Sequence, residues 1–235
     1  MATYADFEGT LTRLLGLDRA PVAVTFCDSE PTGVRKFAGQ VPSGCSFWKL
    51  AAGGAPFYTV PSDHYNCPIG SYTHNIALPK ERENELTEVL GLMAQIGYVK
   101  LEEVPQIPRW SKKPAAIVYA RLAQTPLPPD VVIVAASARA AMLLTEASIA
   151  AGTSSGMTLP RPTCMAIAAA YGKGMTLSLA CIGNRVYTDL PDDEIYGMIR
   201  GTDLDSVVGA LGKIASANDQ LTSYHEGRKL KLLRI

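Results

Sequence analysis

Two spacings of apolar residues alternate along the chain, one helical and one extended, and together they predict an α/β fold. In residues 4–16, Phe7, Leu11, Leu14 and Leu15 fall at helical intervals. Residues 21–27 are apolar, rich in β-branched side chains and bounded by turn formers, the pattern of a buried strand. Residues 45–52 favour a short helix closed by Gly53-Gly54, and residues 57–60 a strand stopped by Pro61. Over residues 80–96 an apolar stripe of Leu86, Val89, Leu90, Met93 and Ile96 opposes Glu and Arg, which predicts a helix packed on the core. Strands are expected at 98–104 and 115–122. Beyond a Pro-rich link at 125–129, the pattern gives a strand at 130–135, a helix at 138–150 and a strand at 175–179. Thr202-Asp203 can cap a last helix that turns Leu204, Val207, Val208, Leu211 and Ile214 inward.

The pattern also repeats. Cys45-Ser46-Phe47-Trp48 and Cys164-Met165-Ala166-Ile167 each open a predicted helix, and a glycine eight positions after the cysteine, Gly53 or Gly172, can end it. A strand follows each helix and leads to a second cysteine in a related turn. One turn is Cys67-Pro68-Ile69-Gly70-Ser71-Tyr72-Thr73 and the other Cys181-Ile182-Gly183-Asn184-Arg185-Val186-Tyr187-Thr188. The expected architecture is two pseudo-symmetric lobes from an internal duplication, 1–124 and 130–235, with mixed sheets flanked by helices. Equivalent positions of two such lobes face one another across a pseudo-two-fold axis. Cys45, Cys67, Cys164 and Cys181 are therefore expected at one interlobe site.

Composition narrows what that site can do. A chain of 235 residues can bury a large core without disulfide staples. Lys plus Arg equals Asp plus Glu at 22 each, so no surplus positive charge is present to displace counterions from nucleic-acid phosphates. The basic stretch at 228–234 reads as a solvated tail or edge strand. No apolar run approaches the ~20 residues of a membrane-spanning helix. The opening Met1-Ala2-Thr3-Tyr4-Ala5-Asp6 lacks a basic start and an apolar stretch, so a cytoplasmic protein is expected. In a reducing compartment its five cysteines are better candidates for metal ligands or reactive thiols than for disulfides. Phosphate loops, dinucleotide fingerprints, nucleophile elbows and His-Glu-x-x-His are absent from the sequence, which lowers nucleotide-driven chemistry and the familiar hydrolases.

Four thiolates suit an iron–sulfur cluster, with [4Fe–4S] the first choice, or tetrahedral zinc. The spacing fits neither a zinc ribbon nor a compact ferredoxin run, and buried cysteines also serve as small apolar residues. Cys27 lies in the first strand and has no counterpart in the repeat. His64 and His74 flank Cys67 and can ligate metal, contact a haem or shuttle protons; His74 aligns near Asp189 of the second half. Arg185 can neutralise thiolate charge, meet an anionic substrate or pair with Asp189, and Arg161 before Cys164 can do likewise.

The pieces Cys45…Ala51-Ala52-Gly53, Cys67-Pro68-x-Gly70, Arg161-Pro162-Thr163-Cys164 and Cys181-Ile182-Gly183-Asn184-Arg185-Val186-Tyr187-Thr188 resemble the DUF169 family. Pro21-Val22-Ala23-Val24 and Pro129-Asp130-Val131-Val132 extend the resemblance over nearly the whole chain. It implies a mostly prokaryotic cytoplasmic protein, often from anaerobes, without a settled role, and it marks the same four cysteines as motif positions. The resulting expectation is an iron–sulfur oxidoreductase or lyase, with Arg185 and His74 facing the substrate. The alternatives are a non-enzymatic protein that binds zinc or haem and a metal-free thiol enzyme. The counterpart is a small-molecule substrate or a redox partner protein, and a homodimer is the commonest assembly.

Overall fold

A computed structural model describes residues 2–158 and 161–233. Its first half runs α1 (Tyr4–Leu15), β1 (Val22–Cys27), β2 (Arg35–Lys36), α2 (Ser46–Gly53), β3 (Phe57–Thr59), α3 (Pro68–Thr73), α4 (Glu83–Gln95) and β4 (Ala116–Arg121). The second runs β5 (Val131–Ser137), α5 (Ala138–Ala150), β6 (Ser155–Met157), α6 (Met165–Lys173), β7 (Met175–Ser178), α7 (Ile182–Thr188), β8 (Glu194–Arg200) and α8 (Leu204–Leu233).

All eight strands join one mixed sheet in the order β2-β3-β4-β1-β5-β8-β7-β6. At its centre β1 pairs antiparallel with both β4 and β5, in registers that include Val24↔Tyr119 and Val24↔Val131. The outermost pairs, β2·β3 and β6·β7, are parallel. Strand order and pairing sense therefore read the same outward from the centre in either direction. The Pro-rich link at 125–129 connects β4 to β5.

Alternation along the central strands splits the core into two layers. Ala23, Val132, Val134 and Ile199 face one side, where α1, α5 and α8 cover them with Leu11, Leu143, Leu144, Val207 and Leu211. Val22, Val24, Ile117, Tyr119, Val131, Ile133, Tyr196 and Met198 face the other, beneath α2 and α6. The sequence patterns give α1, β1, α2, β3, β4, β5, α5 and β7 within a residue or two of their observed positions.

Several elements depart from the expectation. The strand expected at 98–104 is a loop followed by a 3₁₀ turn at Leu101–Gln106, with Pro105 inside it. Val99 is buried but Leu101, two residues on, is exposed, so no alternating buried face organises a strand there. The helix expected at 80–96 begins with a 3₁₀ turn at Lys80–Arg82, and α4 has no fully buried residue. Leu86, Val89, Leu90 and Met93 are half-buried at the margin, and Ile96 is exposed. Helix α6 runs past Gly172 to a cap at Gly174, whose φ of 99° only glycine adopts easily. The basic stretch is solvated as expected over 228–233, but as the last turns of α8 rather than as a strand or separate tail; Arg234 lies outside the described residues. Asp203 turns its carboxylate to Arg200 Nε at 2.9 Å rather than capping α8.

Candidate metal centre

Each of the four repeat cysteines is the N-cap of a helix: Cys45 of α2, Cys67 of α3, Cys164 of α6 and Cys181 of α7. All four helices lie on one face of the sheet. Local hydrogen bonds tie the cysteines together in pairs within each half. Ser43 Oγ accepts from Cys45 N at 3.4 Å and stands 3.6 Å from Cys67 Sγ. Thr163, which precedes Cys164, accepts from Cys181 N through Oγ1 at 2.6 Å. Gly70 N donates to Cys67 Sγ at 3.3 Å.

The pairs also sense one another across the halves. Burial, with the neighbouring Cys67 and Cys181 adding to it, pushes the Cys45 thiol up to about 12. Cys164 is raised well above the ordinary thiol range by burial, then by Cys45, Cys67 and Cys181. Cys45 and Cys164 are thus the two thiols whose ionisation burial and the neighbouring cysteines oppose. Cationic iron or zinc would reverse that balance, because thiolate ligands are deprotonated on binding. Among the described residues, no three His, Cys, Asp or Glu side chains come close enough to hold one metal ion. Cys27 lies apart, its thiol raised by burial and by Asp130 and Asp28.

Unpartnered polar atoms concentrate on the same face. Ten buried side-chain atoms among the described residues lack a hydrogen-bond partner. Eight belong here: one each on Ser46, Trp48, His64 and Tyr119, and two each on His74 and Asn184. Tyr119 stands at the centre of β4, and burial with Cys45, Cys164 and Cys67 nearby raises its phenol well above the ordinary range. Asn184 comes close to Cys45 and Tyr196 without completing a hydrogen bond to either. His64 Nε2 shares a 2.8 Å hydrogen bond with Thr59 Oγ1, while its Nδ1 has no partner. A Cβ on Gly44, beside Cys45, would lie 3.6 Å from that Nδ1. Buried polar groups are almost always satisfied, so this concentration sets the face apart from the rest of the core.

The other sequence candidates separate. His74 is 1% exposed, follows α3 as its C-cap and lies beside Phe26 and His64. Arg185 is committed to backbone: Nη1 donates to Pro191 O at 2.7 Å, and Nη2 to Leu179 O at 2.7 Å and Glu194 O at 3.0 Å. Asp189, one of the partners the sequence offered for Arg185, pairs with Lys49 instead. Arg161 meets Glu103 at 3.4 Å and the ring of Tyr98.

The family model for DUF169, described as uncharacterised ArCR, matches residues 10–210. The chain belongs to the DUF169 family. No curated protein and no solved structure matches it. In this DUF169 chain the matched segment spans all four cysteines, both core histidines, Tyr119 and Asn184, and ends within α8. No helix among the described residues is long and apolar enough to cross a membrane. Asn184 stands inside the motif at 181–188, and Ser43 and Thr163 lie just ahead of motif cysteines, so a sequence signal for them exists. Tyr119 reads only as one more aromatic in a strand, and its place among the sulfurs depends on β1, β3 and β4 coming together.

Proposed function

We propose that Cys45, Cys67, Cys164 and Cys181 hold an iron–sulfur cluster, most simply [4Fe–4S], and that the protein is a redox or cluster-based catalyst acting on a small molecule. The observation that supports this reading is the placement of four cysteine-capped helix starts on one sheet face, among eight orphaned polar atoms. The donor set fits a cluster better than zinc. Tetrahedral zinc at Zn–S of about 2.3 Å needs its sulfurs about 3.8 Å apart, and the donors do not group for a single ion. A cubane takes one thiolate per iron and spaces its ligands more widely. When bound, such a cluster supplies electron transfer, or a Lewis-acidic iron where one cysteine stays free.

The chain's own groups would do the rest. Tyr119, Asn184 and the indole N–H of Trp48 can donate to sulfur, which lowers the cost of cluster charge. Burial keeps His64 and His74 neutral, so His74 offers one donor and one acceptor in a dry interior and His64 offers its Nδ1, its Nε2 being held by Thr59. Arg185, bound to three carbonyls, holds the turn between α7 and β8 in this reading rather than meeting a substrate.

Protein purified away from air should be brown and contain iron and acid-labile sulfide. Colourless, iron-free protein after careful anaerobic reconstitution would overturn the proposal. A second reading is metal-free thiol chemistry at Cys67, which is partly exposed and receives the Gly70 amide. Mass mapping of alkylated thiols separates the two: one fast-reacting cysteine favours the thiol, and four protected together favour the cluster. The same centre motivates reading the halves as a duplication. That reading is supported by the strand order, by the four cysteine N-caps, and by the matched C-caps His74 and Asp189 of α3 and α7. Free thiols at all five cysteines suit a reducing cytoplasm.

A further inference from the structure

Between α2 and the end of α7 a cavity of about 360 Å³ opens on the sheet face that carries the cysteines. Val22, Ile133 and the rings of Trp48 and Tyr196 give it an apolar floor. Arg19, Lys49, Asp18 and Asp189 stand around it at the surface. The flank toward α3 and α6 is filled: Trp110 stacks on Phe26 at 3.8 Å and lies 4.4 Å from the ring of Tyr171. Such an enclosure, mostly apolar with a few polar groups, is what a small ligand needs.

The polar groups select the ligand. Arg19 is already bound, donating to the carbonyls of Thr188 at 3.0 Å and of Asp189, with Glu194 3.8 Å away. Lys49 pairs with Asp189, which leaves further N–H donors on its ammonium. Trp48 is 3% exposed and lends the cavity only its apolar ring, its Nε1–H being shielded from solvent. Two cations and two carboxylates make the rim neutral overall, which disfavours a dianion. An apolar body on the floor and a single anionic group on Lys49 satisfy these features.

We propose that this cavity seats a small organic monocarboxylate with an apolar body. The proposal deepens the cofactor reading and rests on it for the ligand's role as substrate, since Cys45 opens α2 and Cys181 opens α7, the two helices that wall the cavity.

Trp48 and Trp110 are the two tryptophans of the chain, so Trp110→Phe leaves one indole, in the cavity wall. In that full-length background, butyrate and benzoate should change Trp48 emission saturably, and butylamine and inorganic phosphate should not. Calorimetric titration of the unaltered chain gives the same readout without the substitution. Lys49→Met should weaken carboxylate binding about tenfold, the equivalent of about 1.4 kcal/mol. Asp189→Asn should strengthen it severalfold by freeing Lys49, and asparagine tolerates the φ of 50° found there. Opposite signs from two variants do not arise from general loss of structure.

Silence toward both carboxylates, an equal response to butylamine or phosphate, or a shift of the same sign in both variants would overturn the proposal. Iron and sulfide measured on the same preparations report separately on the cysteines. Cluster-free protein that binds butyrate ends the cofactor reading and keeps the cavity. Iron-loaded protein blind to both carboxylates ends the cavity proposal alone.

Discussion

His64 and His74 meet edge to face beneath α2, ring centroids 5.8 Å apart and planes 72° apart, at 2% and 1% exposure. Burial lowers His74 to about 4 from an ordinary 6.5, and burial with the neighbouring His74 holds His64 well below 6.5. Both imidazoles are thus neutral in the fold at pH 7. Below about pH 6.5 the unfolded chain takes up protons that the folded chain refuses. Stability is therefore full above that pH and falls as pH drops toward 4. The slope is roughly 1.4 kcal/mol per pH unit for each imidazole inside its window. Urea denaturation of metal-free protein from pH 7 to pH 4 checks this. His74→Leu removes two unpartnered nitrogens, so it should flatten the acid loss and change stability at pH 7 by no more than about 1 kcal/mol. A wild-type midpoint that does not move over this range would refute the assignment.

The cysteines give a sharper contrast. Cys27 lies on β1, away from the four helix starts, with its thiol directed at Thr25 O, 3.9 Å away. Cys27→Ser should retain the full iron and sulfide content of anaerobically reconstituted protein. Serine at 45, 67, 164 or 181 should lower it, each substitution removing one of four ligands. Equal loss from Cys27→Ser would place the centre elsewhere.

Arg185 was attractive in the sequence because it follows Cys181 by four residues. Its guanidinium instead spans the carbonyls of Leu179, Pro191 and Glu194, so one side chain fixes the approach to α7, the turn after it and the start of β8. Charge-assisted hydrogen bonds of this kind contribute roughly 1.5–3 kcal/mol in total when one donor group is removed. Arg185→Met should cost about that much in denaturant titrations, and Arg185→Lys should recover only part, because an ammonium lacks the planar fork. Unchanged stability in Arg185→Met would return this residue to the list of ligand-facing groups.

What the sequence makes legible follows from where each signal is stored. Strands β1 and β5 are continuous apolar runs because the sheet is covered on both faces, and α1 carries its own cap, Thr3 accepting from Asp6 N at 3.2 Å. Helices α3 and α7 are six and seven residues long, too short for an apolar period, and their glycines read as turns. Strand β8 was hidden by Gly197, which breaks the run Glu194–Arg200. The order of the cysteines is local information and could be read; that Tyr119 and His74 share their sheet face is tertiary information and could not.

Two glycines at β8 test whether its route is set by close packing. A Cβ on Gly201 would lie 1.7 Å from the Pro129 carbonyl oxygen, beside the 2.7 Å hydrogen bond from Gly201 N to Asp130 O. That obstacle is backbone at the start of β5 and has no rotamer to escape into. On Gly197 the Cβ would lie 2.7 Å from Leu144 Cδ2, a side-chain end that can shift within a full core. Gly209 in α8 has nothing within 4 Å. Gly197→Ala should therefore cost about 1–3 kcal/mol, the usual range for overpacking, and Gly201→Ala more than that. Gly209→Ala should instead stabilise by about 0.5–1 kcal/mol, because alanine loses less chain entropy in a helix. Urea midpoints of the three variants rank them directly. If Gly201→Ala proved the mildest, the link at 125–129 would not be held against the end of β8, and the central pairing of β1 with β5 would need another anchor.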